Sequence, residues 1–346
     1  MKFKAAILTE IDKPLVLSDI ETTDLKVGQV LVKILVSGLC GAQLQEISGL
    51  KGNAKFLPHL MGHEGCGIVE EIGLGVTKVK IGDKVVLHWR KGEGIESDFP
   101  SYIYNGKQIS SGKVTTLSEY SVVSENRLTA VPNDTPDELC ALLGCGLSTA
   151  LGVINNDANL KFGQSILIIG CGGIGLNLIQ GANLASAYPI IGMDISEDKK
   201  EMAMKLNATS FINPLTDNIE NEFEKLGIKK IDIIVDTTGN VDIINKTIDY
   251  LSDSGKYILV AQSKPNDILK INNPSSLFLG NGKVIKATQG GQTSPSEDIP
   301  RYIRLNKSGK LNLDNIITHE FALQDINEAI ILLKNKKAGR IIIKIK

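Results

Sequence analysis

Two groups of residues in this chain have types and spacings from which chemistry can be built. The first is Gly170-Cys171-Gly172-Gly173-Ile174-Gly175, a G-x-G-x-x-G that follows the apolar run Ser165–Ile169. Leu178, Ala182 and Ala185 come next at helical spacing, then Tyr188-Pro189, then a second apolar run, Ile190–Met193, closed by Asp194. Strand, glycine loop, helix, strand and acid, in that order, are what a dinucleotide requires. Gly170 permits the tight turn, Gly172 lets a pyrophosphate approach the backbone, and Gly175 lets helix and strand pack closely. The helix N-terminus then offers N–H groups to the phosphates. Asp194 is placed to accept hydrogen bonds from the adenosine ribose and to repel a 2′-phosphate, so NAD is expected over NADP. Lys199 and Lys200, just beyond it, are the opposing feature.

The second group is Cys40, His63-Glu64 and Cys145, far apart along the chain but flanking one strand-rich region. Two cysteines and one histidine can hold a catalytic zinc with a fourth position open. A substrate oxygen at that position has its pKa lowered, so hydride can leave the adjacent carbon. Type and spacing alone leave the plainer alternative open, in which the cysteines are core residues and His63 is a satisfied structural histidine.

The elements that must position these residues follow from periodicity. Ala5–Thr9, Leu15–Ile20 and Gln29–Val36 read as strands, Ala42–Ile47 as a short helix, and the stretch after Glu64 alternates like a strand. Many short strands with glycine turns before the first βαβ unit argue for a separate N-terminal domain. Residues 90–118 are polar and glycine-rich, a long loop or small lobe. Residues 136–153 form one compact helical stretch. After Asp194, Ser196 is expected to cap a helix carrying Met202 and Leu206, and Ile231–Val235 and Lys256–Val260 read as further parallel strands. Asp325-x-x-Glu328 has the form of a capping box opening a helix over Ile326–Asn335, and Ile341–Ile345 is a final strand.

Bulk properties limit the alternatives. A chain of 346 residues with 42% hydrophobic and 22% charged residues and net charge −1 is ordinary for a water-soluble two-domain protein. That balance does not point to nucleic acid or an anionic membrane. No apolar run approaches the roughly 18–20 residues of a membrane span, and the N-terminal apolar run is too short for a signal peptide, so a cytoplasmic setting is expected. The 5 cysteines are scattered and odd in number, which is no disulfide framework.

GHEGCGIVEEIG…VKIGDKVV, LLGCGLSTALG, GCGGIG-L and MDISEDK, taken in order, resemble the zinc-dependent medium-chain alcohol dehydrogenases, and in particular the alcohol and glutathione-dependent formaldehyde dehydrogenase branch. The resemblance runs from Lys2 to Ile345. It implies an α/β fold: a doubly wound Rossmann sheet over 147–288 and a strand-rich GroES-like catalytic domain over 1–146 and 289–346. It also implies that Cys40, His63 and Cys145 are the catalytic zinc ligands, with Glu64 an acid able to approach the metal. Thr149 and Ile174 would lie at the nicotinamide, Asp194 and Lys199 at the adenosine ribose, Arg340 on the pyrophosphate, and Trp89 in the substrate pocket. The implied activity is NAD-dependent interconversion of an alcohol with its ketone or aldehyde.

The chain departs from that family in three places. Residues 90–118 contain no cysteine where the family commonly has four for a structural zinc, so one zinc at most is expected, with the lobe held by ordinary packing. The proton relay usually starts at Ser or Thr where Ala42 stands. Gln43 replaces the Asp that supports the zinc histidine, able to accept a hydrogen bond but uncharged, and Gln45 replaces an outer relay histidine. Gly41 replaces a frequently basic phosphate contact. Substitute relays are a substrate hydroxyl, ordered water, Ser148, His59 or His88, the last with the alternative of a plain structural histidine. A substrate that brings its own hydroxyls, such as a sugar, cyclitol or other polyol, is the expectation. The alternatives are a zinc-free NAD(P)H reductase of the same superfamily and a non-catalytic NAD-binding redox sensor. Cys66, Cys140 and Cys171 are read as buried small side chains. Homodimers or homotetramers are expected, with Leu277–Thr288 as the sheet-edge segment.

Overall fold

The computed structural model describes residues 1–314, 316–336 and 338–345, with the side chains of Asn53 and Ala54 outside the description. The chain forms two compact units, one of Met1–Ser148, Ser294–Leu313 and Ile317–Lys346, the other of Thr149–Thr293 with Asp314–Ile316.

The first unit opens with β1 (Lys2–Leu8), β2 (Val16–Thr22) and β3 (Gln29–Leu39). The short helix α1 (Gly41–Ile47) follows, then β4 (His59–Leu60), β5 (Glu64–Ile72) and β6 (Lys84–His88). Next come β7 (Tyr102–Tyr104), β8 (Lys107–Ile109), β9 (Tyr120–Ser124) and β10 (Leu128–Ala130), and the helix α2 (Asp137–Leu143). One sheet runs β4-β1-β2-β7-β8. The expected loop over 90–118 therefore carries a hairpin, β7–β8, that joins this sheet.

The second unit starts at α3 (Gly146–Gly152) and its continuation to Ala158. It then alternates β11 (Ile166–Ile169), α4 (Gly173–Leu184), β12 (Ile190–Met193), α5 (Asp198–Lys205), β13 (Ser210–Ile212), α6 (Ile219–Lys225), β14 (Ile231–Asp236), α7 (Val241–Thr247), β15 (Leu251–Leu259) and β16 (Val284–Ala287). Its sheet is parallel in the order β13-β12-β11-β14-β15-β16. The strand order reverses beside β11, where a doubly wound sheet opens its crevice at the C-terminal strand ends. Leu167, Ile169, Ile191, Met193, Ile234 and Tyr257 form the core on one face.

The chain then returns to the first unit through α8 (Pro295–Lys307), β17 (Ile317–Ala322), α9 (Ile326–Lys334) and β18 (Arg340–Lys344). The second sheet of that unit is β10-β6-β5-β3-β18-β17, with β9 also on β3. β3 is buried along almost its whole length because β5, β9 and β18 all pair with it. Val30, Val32 and Ile34 of β3 meet Val69, Val85, Leu87, Ile341 and Ile343 in one core, each such side chain contributing about 1.5–3 kcal/mol of burial.

Four expected local details differ. The helical stretch 136–153 is broken: α2 ends at Leu143, and Gly144-Cys145 turns the chain before α3. Glu197, not Ser196, precedes α5. Asp325 does precede α9, but its side chain makes no cap bond; with φ −96 and ψ 16 its backbone is not in the extended form that aims a cap at the helix N–H groups. Ala185, read at helical spacing with Leu178 and Ala182, lies just past the helix, which ends at Leu184.

Candidate metal centre and cofactor site

Three separate breaks in regular structure create the metal centre. Cys40 ends β3 and precedes α1, His63 lies just before β5, and Cys145 sits in the turn between α2 and α3. The Cys40 and Cys145 sulfurs and a ring nitrogen of His63 all lie within 4.8 Å of one another. Two sulfurs and one imidazole nitrogen are a donor set that suits zinc, and three protein donors leave a coordination position for a substrate. A hydrogen bond with Cys145 pulls the Cys40 thiol well below its ordinary value against the effect of burial, with His63 and Arg340 adding to the pull. The cluster thus already favours a thiolate, the form that ligates metal.

Behind the cluster lies a buried ion pair. Arg340 on β18 reaches Glu64 on β5, and the other Glu64 oxygen accepts from the Gly146 N–H at 3.0 Å. Burial pushes the Glu64 carboxyl up, against the pull of Arg340. Both oxygens are therefore engaged away from the three donors. Arg340, expected on a pyrophosphate, is 3% exposed and committed to Glu64 in this unit.

Gln43 supports His63, but not in the expected sense. Its Oε1 accepts the Cys40 backbone N–H at 2.9 Å, which leaves Nε2 facing His63 Nδ1 at 2.6 Å. The amide presents a donor to the ring where acceptance was expected.

The substitute relays separate cleanly. His88 is buried, with Nδ1 donating to the Arg90 carbonyl at 2.7 Å and Nε2 paired with Thr129 Oγ1 at 2.9 Å; burial lowers it to about 4. It is the plain structural histidine, not a relay. Ser148 Oγ donates to the Leu143 carbonyl at 2.6 Å. Ala42 has no polar side-chain atom. His59, by contrast, lines the same cavity as His63, a space of about 930 Å³ that Trp89 and Phe99 also line.

In the second unit the glycine loop leads from β11 into α4. Gly170 has φ +89, and a Cβ on Gly175 would collide with the Gly170 carbonyl, so both positions require glycine. A Cβ on Gly172 meets nothing within 4 Å, which leaves the backbone open in front of α4. No side chain caps the N-terminus of α4, a 12-residue helix. Its first N–H groups have no side-chain cap, an arrangement that suits a pyrophosphate. Gly173 and Ile174 form its half-exposed first turn. Asp194 Oδ2 accepts from the Cys171 N–H at 2.7 Å and Oδ1 from the Ser196 N–H at 3.0 Å, which fixes the carboxylate at the strand end. Lys199 is buried close by, and burial lowers its pKa. Thr149 is buried in α3. Gly41 is exposed with open space around it.

The 90–118 lobe is not held by ordinary packing alone. Glu96 sits at the centre of a charged cluster: Arg127 Nη2 at 3.1 and 3.2 Å from its two oxygens, Asn126 Nδ2 at 2.9 Å, Lys113 Nζ at 3.2 Å and Lys91 Nζ at 3.3 Å. Beside it, the Glu125 carboxylate gathers the Thr77, Lys78 and Ile95 backbone N–H groups. Sequence reading missed this cluster. Its only trace was an acid, Glu96, in a segment without cysteine, and its main partner lies 31 residues away.

Residues 26–133 match the alcohol dehydrogenase GroES-like domain and residues 173–308 the zinc-binding dehydrogenase domain. The chain is 30% identical to S-(hydroxymethyl)glutathione dehydrogenase of Paracoccus denitrificans over 96% of its own length and 97% of that protein. Its fold superposes on the crystal structure of benzyl alcohol dehydrogenase from Acinetobacter calcoaceticus with a TM-score of 0.91 at 27% identity, covering 100% of both chains. It also superposes on 2R,3R-butanediol dehydrogenase from Bacillus subtilis with a TM-score of 0.78 at 25% identity, covering 99% of both. The chain belongs to the zinc-dependent medium-chain alcohol dehydrogenase family, in a form without the four-cysteine structural site. Alcohol–carbonyl oxidoreduction is its chemistry. Among the described residues no single helix is long and apolar enough to cross a membrane.

Proposed function

We propose that this chain is a cytoplasmic, NAD-dependent dehydrogenase with one zinc, acting on a hydroxyl-rich, bulky alcohol or the corresponding carbonyl. The observation that carries the reading is the meeting of Cys40, His63 and Cys145 donor atoms within 4.8 Å. His63 also opens on a cavity of about 930 Å³.

Cys40, His63 and Cys145 would hold the zinc, and Gly172, Gly173, Ile174, Asp194 and Lys199 would hold NAD, with Thr149 as a further cofactor contact and Arg340 left to Glu64. When bound, the metal supplies Lewis acidity to the substrate oxygen and the nicotinamide supplies a two-electron acceptor. The protein's part is positioning. The turn at Gly144-Cys145 and the end of β3 fix the two sulfurs, Gln43 lies against the His63 ring, and the Glu64–Arg340 pair stiffens the wall behind them. Trp89, Phe99, Phe56 and Ile109 line the cavity with apolar surface, while Ser101, Gln108, Ser110 and Ser111 add hydroxyl and amide groups. Aromatic faces with hydroxyl partners suit a sugar-like ring. Ala42 and the engaged Ser148 and His88 support the same reading, because a substrate hydroxyl can carry the proton that they do not.

Oligomerisation through β16 is part of the proposal. β16 is a terminal strand of its sheet, and Phe278, Leu279 and Val284 beside it are exposed.

The test is zinc per subunit by elemental analysis, followed by a substrate screen weighted to polyols and cyclic sugars. One zinc with turnover of a polyol supports the reading. Turnover confined to short unfunctionalised alcohols sinks the substrate class, and a zinc-free protein that still binds NADH sinks the metal chemistry.

A further inference from the structure

The Glu96 cluster does more than close a surface lobe. Two of its partners run directly to aromatic residues of the cavity, one to a backbone carbonyl and one to a ring. Arg127, which binds Glu96 through Nη2, donates through Nη1 to the Trp89 carbonyl. Lys113, 3.2 Å from Glu96, donates to the Ser97 carbonyl at 2.7 Å and lies 4.3 Å over the Phe99 ring. Trp89, Phe99 and Lys113 all line the cavity that His63 opens on. Arg127 itself is 7% exposed, while the Glu96 side chain keeps 29% of its surface open to solvent. One carboxylate therefore organises the cations that anchor both aromatic walls. A carboxylate satisfied by several charge-assisted hydrogen bonds is a rigid node.

We propose that Glu96 is a positioning residue for the substrate cavity, setting Trp89 through Arg127 and Phe99 through Lys113, and so governing which bulky alcohols the enzyme accepts. The substrate part rests on the reading of this cavity as the substrate site. Glu96 is not in contact with Cys40, His63 or Cys145, so its loss changes the fit of a ring without changing the metal. A small alcohol held at the metal alone does not depend on it.

The chain has 1 tryptophan, so intrinsic tryptophan fluorescence reports Trp89 directly. The experiment compares wild type with Glu96→Gln and Lys113→Met in emission maximum, acrylamide quenching, zinc per subunit, and kinetics on benzyl alcohol and ethanol as ring-bearing and small probes. Glu96→Gln is expected to move Trp89 emission to the red and increase its quenching, and to raise KM for benzyl alcohol roughly tenfold with kcat, zinc content and ethanol kinetics held. Lys113→Met removes the Phe99 arm with its Ser97 contact and keeps the Arg127–Trp89 arm, so it raises the benzyl alcohol KM and leaves Trp89 emission in place. General loosening of the lobe would move Trp89 in both variants and overturns the proposal. So does unchanged Trp89 emission in Glu96→Gln, or an unchanged KM in Lys113→Met. A wild type that oxidises neither probe while Trp89 responds as expected supports the positioning role and sinks the substrate-site reading on which the selectivity rests.

Discussion

Gln43 Nε2 lies 2.6 Å from His63 Nδ1 while its Oε1 is held by the Cys40 N–H. A backbone N–H can only donate, so the amide oxygen must face it and the NH2 must face the ring. Nδ1 is then an acceptor, and the neutral imidazole carries its proton on Nε2. Metal ligation through Nε2 requires the proton on Nδ1, which in turn requires the amide to turn over and release the Cys40 N–H.

A carboxylate removes that conflict, since it accepts from both groups at once. Gln43→Glu is therefore expected to hold zinc about 10–100 times more tightly than wild type, measured by competition with a chromogenic chelator. Equal affinity in the two proteins would show that the amide orientation does not oppose ligation.

The metal donors and the glycine loop belong to different units. Cys145→Ala should lose the zinc while NADH binding, followed by fluorescence, stays within about twofold of wild type. Loss of both together would tie the two sites in a way that neither unit's own packing accounts for.

Asp194→Ala leaves the Cys171 and Ser196 N–H groups without their acceptor and removes the charge that opposes a 2′-phosphate. NADH should bind roughly tenfold more weakly and NADPH no worse than in wild type, read from paired titrations. An unchanged preference for NADH would place discrimination elsewhere.

The Glu64–Arg340 pair is fully buried, and removing one member strands the other's charge. Arg340→Met should cost about 3–5 kcal/mol of stability by urea denaturation. A loss under 1 kcal/mol would mean that water or a rearranged side chain reaches Glu64.

Glu96 gives a pH signature. Burial alone would raise its carboxyl, but hydrogen bonds from Asn126, Arg127 and Lys113 and the charge of Arg127 outweigh it and hold the group at about 2, against an ordinary 4.5. A depressed folded-state pKa stabilises the fold fully above the unfolded value. That contribution is lost as pH falls from 4.5 towards 2. Thermal midpoints of wild type and Glu96→Gln should converge across that window and lie furthest apart near neutral pH. Parallel curves would remove Glu96 from the acid response.

The cofactor loop was legible in the sequence because its signal is local: Gly170, Gly172, Gly175 and Asp194 act within one βαβ unit. The metal donors were less so, since Cys40, His63 and Cys145 are brought together by the ends of β3 and β5 and a turn between helices, and family resemblance supplied what spacing left open. Residue type alone misled at Ser196, because Glu197 takes the position before the helix, and at Asp325, whose backbone does not aim its side chain at a helix N–H. It was silent on Glu96 and Arg127, because ion pairs between distant loops leave no periodicity. His88 looked chemically available beside Trp89 until its two nitrogens were found engaged with Arg90 and Thr129.

β18 is laid into the sheet beside β3, pairing Ile341 with Leu39, and delivers Arg340 to Glu64. A ribosome making this chain finishes the parallel sheet of the second unit, through Ala287, long before it reaches that strand. The cofactor half can thus fold during synthesis, whereas in the metal half the Val36–Leu39 end of β3 waits for its partner until the last turns of translation. Nonsense or frameshift lesions after residue 300 would accordingly leave nascent protein with a formed dinucleotide fold and an unpaired end of the central strand, a target for chaperones and proteases rather than a weaker enzyme.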